Sequence, residues 1–216
     1  MHRCRLGSVS IARQNARESQ LNGERFAALL LLLLASPVLL AAGLVLAVLS
    51  RRSPLIAHRR VGWCGNPLWM LKLRTMWGKQ ECARREWIER IDDDLGPDRK
   101  SAGDPRVRSR FARFCRRHSI DELPQLWHVV TGEMSLVGPR PVTTRELGRY
   151  YGADSAEILS VKPGLAGLWQ ISGRNRLTGA ERRRLDLQLV RRRSPALYVT
   201  ILLRTVPEVF HGKNSW

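Results

Sequence analysis

Two adjacent carboxylates, Asp121 and Glu122, lie in the arginine-rich stretch "RRHSIDELPQLWHVVTGEMSLVGPRP" (116–141). Arg116 precedes the pair, and Arg140 follows it between two prolines that stiffen the loop. The planar guanidinium group of arginine can bind two phosphate oxygens at once. Cationic neighbours also keep a carboxylate ionised at neutral pH. An aspartate in such a place can attack phosphorus, and a neighbouring glutamate can hold Mg²⁺ against a leaving diphosphate. The pair is therefore a candidate for phosphoryl-transfer chemistry.

The same residues also fit the start of a helix, and the sequence alone leaves this second interpretation open. Ser119 and Glu122 match the S-x-x-E capping box, with Ser119 as the N-cap. Asp121 as the N-cap, with Pro124 in the first turn, fits equally well. Acidic residues are common there because the helix dipole favours negative charge. In both cases we expect the helix to end at Gly132.

Four more basic residues are candidates for contacts with the same phosphates. Lys72 and Arg74 lie at the end of a short apolar segment, and Lys162 and Arg174 lie among three glycines and a proline in residues 160–176. A helix start that several basic side chains surround is a favourable phosphate site. The candidate substrate-binding residues are therefore Lys72, Arg74, Arg116, Arg140, Lys162 and Arg174.

The chain carries a formal net charge of +18 at pH 7, which predicts an anionic partner. Nucleic acid, the anionic face of a membrane and phosphorylated substrates all fit this charge. Aromatic residues make up only 6% of the sequence and no nucleic-acid-binding motif is recognisable, which argues against a nucleic-acid binder. The four cysteines form no C-x-x-C pair and no Cys/His cluster, so we expect reduced thiols and no zinc site.

Residues 26–49 contain no charged side chain and are long enough to cross a bilayer. Ser36 and Pro37 lie near the middle of this run, where a proline kinks a helix. Arginines flank the run on both sides, so the positive-inside rule cannot orient it. A re-entrant anchor that bends at Ser36-Pro37 and returns to the same face satisfies both flanks. We therefore favour this helix-break-helix anchor over a single spanning helix.

The remaining sequence predicts a small α/β domain, rich in helices and with short strands. Residues 51–77 alternate apolar runs with turns and predict one or two strands or a hairpin. Residues 106–118 predict a basic amphipathic helix, and residues 194–210 predict an apolar helix that lies at the membrane interface. Thr178 and Glu181 form a capping box that opens one more helix. Asp92–Asp94 lack the spacing of a calcium site and predict a solvated loop.

Taken in order, these motifs resemble those of the bacterial sugar transferase family, the monotopic phosphoglycosyl transferases, in their minimal form. The motifs are the central Ser-Pro, "RRVG", "KLRTM", "DPRV", "SIDELPQLWHVVTGEMSLVGPRP", "KPGLAGLWQISGRN" and "ERRRLDL". The resemblance implies that Asp121 attacks the sugar-proximal phosphate of a UDP-sugar and expels UMP, and that undecaprenyl phosphate then takes the phosphosugar. It implies a catalytic dyad of Asp121 and Glu122 with Mg²⁺ as the cofactor. Positions near the phosphates would be Lys72, Arg116, Arg140 and, as a weaker match, Arg174.

The resemblance also implies a place in the cell and a set of partners. It predicts a basic arm over residues 1–24, a re-entrant membrane helix over 25–50 and a cytosolic, membrane-associated catalytic domain over 51–216. Both termini would face the cytoplasm at the bacterial inner membrane, next to anionic lipid. The sugar would be galactose or glucose for an exopolysaccharide, capsule or O-antigen. A homodimer and contacts with downstream glycosyltransferases are compatible with this prediction, and a non-catalytic membrane scaffold is the competing function.

Three stretches depart from the pattern of the family. Many members have an aspartate just before the apolar segment, where this chain has Ala27 and Ala28. The glycine-rich turn reads "RVGWCGNP", and the tail reads "HGKNSW" in place of the common Gly-Ala-Tyr ending. These departures concern the anchor and the nucleotide contacts rather than the dyad.

Overall fold

A long N-terminal helix leads into a domain of short helices and strands. The fold comes from a computed structural model that describes residues 11–77, 87–92, 104, 106–173 and 176–211, with side chains from residue 22 to residue 207. The helices are α1 (Ile11–Ser50), α2 (Arg110–Arg117), α3 (Leu126–Thr131), α4 (Thr144–Glu146), α5 (Ser155–Leu159), α6 (Leu168–Ile171), α7 (Gly179–Arg191) and α8 (Pro195–His211). The helix-rich α/β class predicted from the sequence is confirmed.

Two small sheets support the domain. The hairpin expected within residues 51–77 is present as β1 (Leu55–Val61) and β2 (Pro67–Leu73), which pair antiparallel. A third strand, β3 (Ile88–Ile91), pairs parallel with β1, so the order is β2-β1-β3. The second sheet contains β4 (Ser135–Val137) and β5 (Gly164–Ala166), which are parallel.

The long helix α1 does not divide into two helices at Ser36 and Pro37. It stays helical through Pro37, and the Ser36 hydroxyl donates to the carbonyl of Leu33 at 2.7 Å. A proline removes one backbone donor, and a serine bonded to the preceding turn is a common accompaniment of helix bending. The expected division into two helices is therefore not seen, while the re-entrant topology stays a prediction. Residues 22–50 are apolar and long enough to cross a membrane.

Both halves of α1 pack on the domain. Ala28 is fully buried against a core cluster that contains Leu126, Val129, Met134 and Leu136. Ala42 and Leu46 are buried in a second cluster with Leu73, Ala112 and Cys115. Many other apolar side chains between residues 26 and 49 of α1 are exposed, including Phe26, Leu30, Leu33, Leu34, Leu40, Leu44 and Val48.

The helices predicted within residues 106–118 and after Thr178 both form, as α2 and α7. In α2, Cys115 is buried and Phe111 packs beside it, whereas Phe114 is half exposed. Thr178 caps α7 through the expected box, because its hydroxyl accepts from the Glu181 N–H and the Glu181 carboxylate accepts from the Thr178 N–H. Asp92 pairs with Arg59 at 2.8 Å. The other two acids of the Asp92–Asp94 run lie outside the described residues, as do residues 1–10 of the predicted arm.

Candidate active site

The carboxylate pair lies in a short 3₁₀ helix, Ile120–Gln125, directly before α3. Ser119 has a left-handed backbone (φ 55°) and its side chain makes no capping bond, so the predicted capping box is wrong. The Glu122 N–H instead bonds to the Ser119 carbonyl at 3.0 Å, which makes a tight turn. Asp121 lies inside the 3₁₀ helix, so its predicted role as N-cap is wrong as well. The end of α3 at Gly132 (φ 82°) is confirmed.

Two cations from different parts of the chain reach one oxygen of Glu122. Lys72 Nζ on β2 lies 2.7 Å from Glu122 Oε1, and the Arg140 guanidinium lies 3.4 Å from the same atom. The Lys72 side chain is only 7% exposed, so its charge is compensated by Glu122 inside the protein rather than by water. Asp121 is 7% exposed and Glu122 remains partly exposed. The fold therefore brings two distant segments, those of Lys72 and Arg140, to the dyad.

Close contact between two glycines fixes the loop that carries Arg140. The Gly138 N–H donates to the Ala166 carbonyl at 2.9 Å, and the Gly164 N–H donates to the Pro139 carbonyl at 2.8 Å. A Cβ placed on Gly164 would lie 1.9 Å from the Gly138 nitrogen, so only glycine permits this approach. The β4–β5 pairing and the two prolines thus hold Arg140 on a stiff loop.

Charges around the dyad shift two ionisable groups. Burial lowers the pKa of Arg140, but the carboxylates of Glu122, Glu146 and Asp121 more than offset this and raise that pKa overall. Burial, and after it the charge of Asp121, raises the pKa of the Cys115 thiol to about 11. Arg140 is therefore cationic and Cys115 a neutral thiol at pH 7. A buried, neutral thiol is a poor nucleophile, so Cys115 is not a candidate for that role at pH 7.

A buried polar layer lies behind Arg140. The Arg140 guanidinium lies 5.9 Å from the centre of the Trp169 ring, and the Arg182 guanidinium lies 4.8 Å from the same ring. Asp186 is fully buried and accepts a 2.7 Å hydrogen bond from the Tyr151 hydroxyl. Burial raises the pKa of Asp186 to about 7, although Tyr151, Arg140 and Arg182 oppose this shift.

The sequence analysis missed this layer. The only available signal was the spacing of four residues between Arg182 and Asp186, which places both side chains on one side of α7.

The other predicted substrate-binding residues take different positions. Arg74 is 2% exposed, and its guanidinium bonds to the Ser53 carbonyl and to Glu89, both at 2.7 Å, so it ties the end of β2 to β3, which lies on the far side of β1. Lys162 lies over the Trp63 ring at 5.7 Å, and burial together with the charge of Arg25 lowers its pKa. These contacts give Arg74 a structural role and place Lys162 near the start of the apolar segment.

Two further candidates remain, Arg116 and Arg174. Arg116 is in the last turn of α2, and its charge, after that of Arg106, helps to lower the pKa of Asp104. Arg174 lies outside the described residues, and its predicted role stays a prediction.

The dyad offers the donor atoms that Mg²⁺ prefers. Adjacent carboxylates suit this cation, which is usually bound by one or two carboxylates together with substrate phosphates. Among the described residues, no group of three or more His, Cys, Asp or Glu side chains could hold a metal by itself. Asp121 and Glu122 therefore fit a Mg²⁺ that a phosphorylated substrate also ligates.

Comparison with known proteins agrees with these motifs. The sequence model described as bacterial sugar transferase matches residues 21–212. The exopolysaccharide production protein ExoY of Rhizobium meliloti (strain 1021) is 40% identical over 88% of this chain and 84% of its own length. The UDP-galactose-lipid carrier transferase of Erwinia amylovora is 40% identical over 76% of this chain, which corresponds to 35% of the longer relative.

A third relative covers both chains well. The UDP-glucose:undecaprenyl-phosphate glucose-1-phosphate transferase of Caulobacter vibrioides (strain ATCC 19089 / CIP 103742 / CB 15) is 37% identical over 88% of this chain and 69% of its own length. With a family match over nearly the whole sequence and relatives at this identity, the chain belongs to the bacterial sugar transferase family.

Proposed function

We propose that the chain transfers a hexose-1-phosphate from a UDP-sugar to undecaprenyl phosphate and releases UMP. The observation that carries this proposal is the convergence of Lys72 and Arg140 on Glu122, the residue next to Asp121. This arrangement combines a carboxylate nucleophile with cations for phosphate oxygens. Relatives named for glucose or galactose transfer to a lipid carrier support the same substrate class.

In the first step the Asp121 carboxylate attacks the phosphorus next to the sugar. A bond forms between an Asp121 oxygen and that phosphorus, and the bond from phosphorus to the bridging oxygen breaks. The electron pair leaves with UMP, and a phosphosugar remains on Asp121. Arg140 and Lys72 would balance the negative charge on the phosphate oxygens as this happens.

In the second step an oxygen of undecaprenyl phosphate attacks the same phosphorus. The bond between phosphorus and Asp121 breaks, which restores the carboxylate and gives a sugar linked to the lipid by a diphosphate. Arg140 and Lys72 serve both steps because the same phosphorus reacts twice. Asp121 and Glu122 would hold Mg²⁺, which supplies positive charge that stabilises the leaving phosphate.

We also propose that α1 is a re-entrant anchor at the cytoplasmic face of the inner membrane. Ala28 near the start of the apolar segment and Leu46 near its end both pack on one domain, which supports placing both flanks on the same side of the membrane. The exposed apolar residues of α8, Val199, Leu203 and Val206, would extend this surface into the interface. Anionic lipid as a partner, a homodimer and contacts with downstream glycosyltransferases stay predictions.

Thiol labelling tests the topology in a variant whose native cysteines are replaced by serine. Asn22→Cys and Arg52→Cys should be equally shielded from a membrane-impermeant periplasmic reagent. If one site is labelled and the other is not, α1 spans the membrane.

The activity is tested by UMP release from a panel of UDP-sugars with undecaprenyl phosphate and Mg²⁺. We expect turnover with UDP-galactose or UDP-glucose, and a loss to below a few per cent in Asp121→Asn. Asp92→Asn, which removes a carboxylate from an exposed ion pair, is the matched control and should keep full turnover. A parent chain that releases no UMP while its gene supports polymer production would favour the scaffold function instead.

A further inference from the structure

A buried histidine on α3 has both ring nitrogens engaged. His128 is 5% exposed, and its Nδ1 lies 2.6 Å from Glu133 Oε2. Its Nε2 lies 3.1 Å from the main-chain nitrogen of Leu71 on β2. His128 belongs to the stretch "LPQLWHVVTG", and the proposed chemistry gives it no role.

These two contacts fix the tautomer of the ring. The main-chain N–H of Leu71 can only donate, so Nε2 of His128 must carry no proton. The proton therefore sits on Nδ1, which donates to the carboxylate of Glu133. A doubly protonated ring would place an N–H against the N–H of Leu71 and lose that bond. The structure thus requires a neutral imidazole that Glu133 orients.

The bond between His128 and Leu71 lies one residue before Lys72, the cation that pairs with Glu122. β2 pairs with β1 along one edge only, and on its other edge the N–H of Leu71 meets His128. The next residue, Lys72, crosses to Glu122 at 2.7 Å. Without His128 the Leu71 N–H would lose this partner, and any displacement of β2 at this point changes the Lys72–Glu122 distance directly.

We infer that His128, oriented by Glu133, is a positioning residue that holds β2 so that Lys72 reaches Glu122. This inference rests on the proposed function, because that proposal gives the dyad its catalytic role. His128 does not touch the reacting atoms in this scheme. It acts through Leu71 and Lys72, much as a carboxylate–histidine pair orients the ligands of a metal site.

Two substitutions of His128 distinguish the effect of losing its hydrogen bond to Leu71 from the effect of losing the volume of its ring. His128→Leu fills the space without an acceptor, and we expect kcat for UMP release to fall about tenfold with an unchanged KM for the UDP-sugar. In His128→Gln the amide oxygen can accept from Leu71, so kcat should recover to within about threefold of the parent. Val130→Ala, a packing change on the same helix that leaves the bond between His128 and Leu71 intact, is the control and should leave kcat unchanged.

A double-mutant cycle with Lys72 distinguishes positioning from general structural damage. In a Lys72→Met background, or in Lys72→Arg if turnover of the first is too slow, His128→Leu should lower kcat less than about twofold, because the group that it positions has already been altered. A tenfold loss in both backgrounds would overturn the inference, as would a His128→Gln variant no better than His128→Leu.

Hydrogen exchange gives a second measurement that needs no activity. The Leu71 amide should exchange faster in His128→Leu than in the parent and return towards the parent rate in His128→Gln. Unchanged exchange at Leu71 would contradict the inference. If Leu71 exchange changes as expected in the two variants but the parent chain releases no UMP, only the proposed function is contradicted.

Discussion

Replacement of Gly164 by alanine should displace the loop that carries Arg140. The added Cβ would lie 1.9 Å from the nitrogen of Gly138 and 2.5 Å from its Cα, whereas real Cβ contacts below 3.0 Å essentially never occur. β4 and β5 must therefore separate by at least about 1 Å, and the bonds that join Gly138 to Ala166 and Gly164 to Pro139 stretch with them. Arg140 follows directly on this segment, so its distance to Glu122 changes.

The expected loss is larger in activity than in stability. A misplacement of about 1 Å in a group that positions a substrate lowers the rate by about 100-fold, and overpacking of this kind costs about 1–3 kcal/mol of unfolding free energy. We expect kcat for UMP release to fall about 100-fold in a Gly164→Ala protein that still unfolds cooperatively.

The matched control is Gly148→Ala, because a Cβ there meets no atom within 4 Å. Both variants would be assayed in the same detergent, with kcat from UMP release and stability from thermal unfolding. If Gly164→Ala keeps kcat within threefold of Gly148→Ala, the rigid β4–β5 contact does not position Arg140.

Three further variants test other parts of the account. Lys72→Met should lower kcat by about 100-fold, because it removes a charge-balancing group beside Glu122, and UMP release measures this. Arg74→Met should lower the free energy of unfolding by about 3 kcal/mol, since it leaves the charge of Glu89 without its buried partner, and urea titration measures this. For Asp186, the folded protein keeps a proton up to a pKa of about 7, whereas the unfolded chain releases it near the ordinary aspartate pKa of 3.8. Stability should therefore fall as pH rises between about 4 and 7, by up to about 1.4 kcal/mol per unit, and Asp186→Asn should remove this slope from urea titrations at pH 5, 6 and 7. An unchanged slope in Asp186→Asn would show that Asp186 does not retain the proton.

Local patterns predicted much of the fold. The alternation of apolar runs and turns in residues 51–77 gave the β1–β2 hairpin, and the Thr178 box gave the start of α7. Thr143 and Glu146 form a second box of the same type, which the same rule detects. These features depend on neighbours within a few residues, so the sequence carries them directly.

The errors arose where distant residues decide the outcome. Ser119 matches a capping box in spacing, but Glu122 pairs with Lys72, which lies 50 residues earlier in the chain, and the backbone turns through a left-handed residue instead. Arg74 and Lys72 look alike in the sequence. Arg74 is taken up by Glu89, whereas Lys72 reaches the dyad, and only the pairing of the strands separates the two roles.

The dyad could be named from the sequence because its motif is long, whereas the buried layer behind it could not. Asp186 and Tyr151 lie 35 residues apart and meet only after α7 packs against the helical segment Leu147–Tyr151. The same holds for His128, because its partner Leu71 lies 57 residues earlier in the chain, although Glu133 lies only 5 residues later. A single sequence gives the residue types but not these long-range contacts.

The most direct test of the central claim is the mass of the intact protein after incubation with a UDP-sugar and Mg²⁺ in the absence of undecaprenyl phosphate. The account predicts that a fraction of the parent chain gains the mass of one hexose phosphate, that peptide mapping places it on Asp121, and that undecaprenyl phosphate removes it. Asp121→Asn should show no adduct. An adduct on another residue, or UMP release by the parent only when both substrates are present and without any adduct, would contradict the role of Asp121 as the nucleophile.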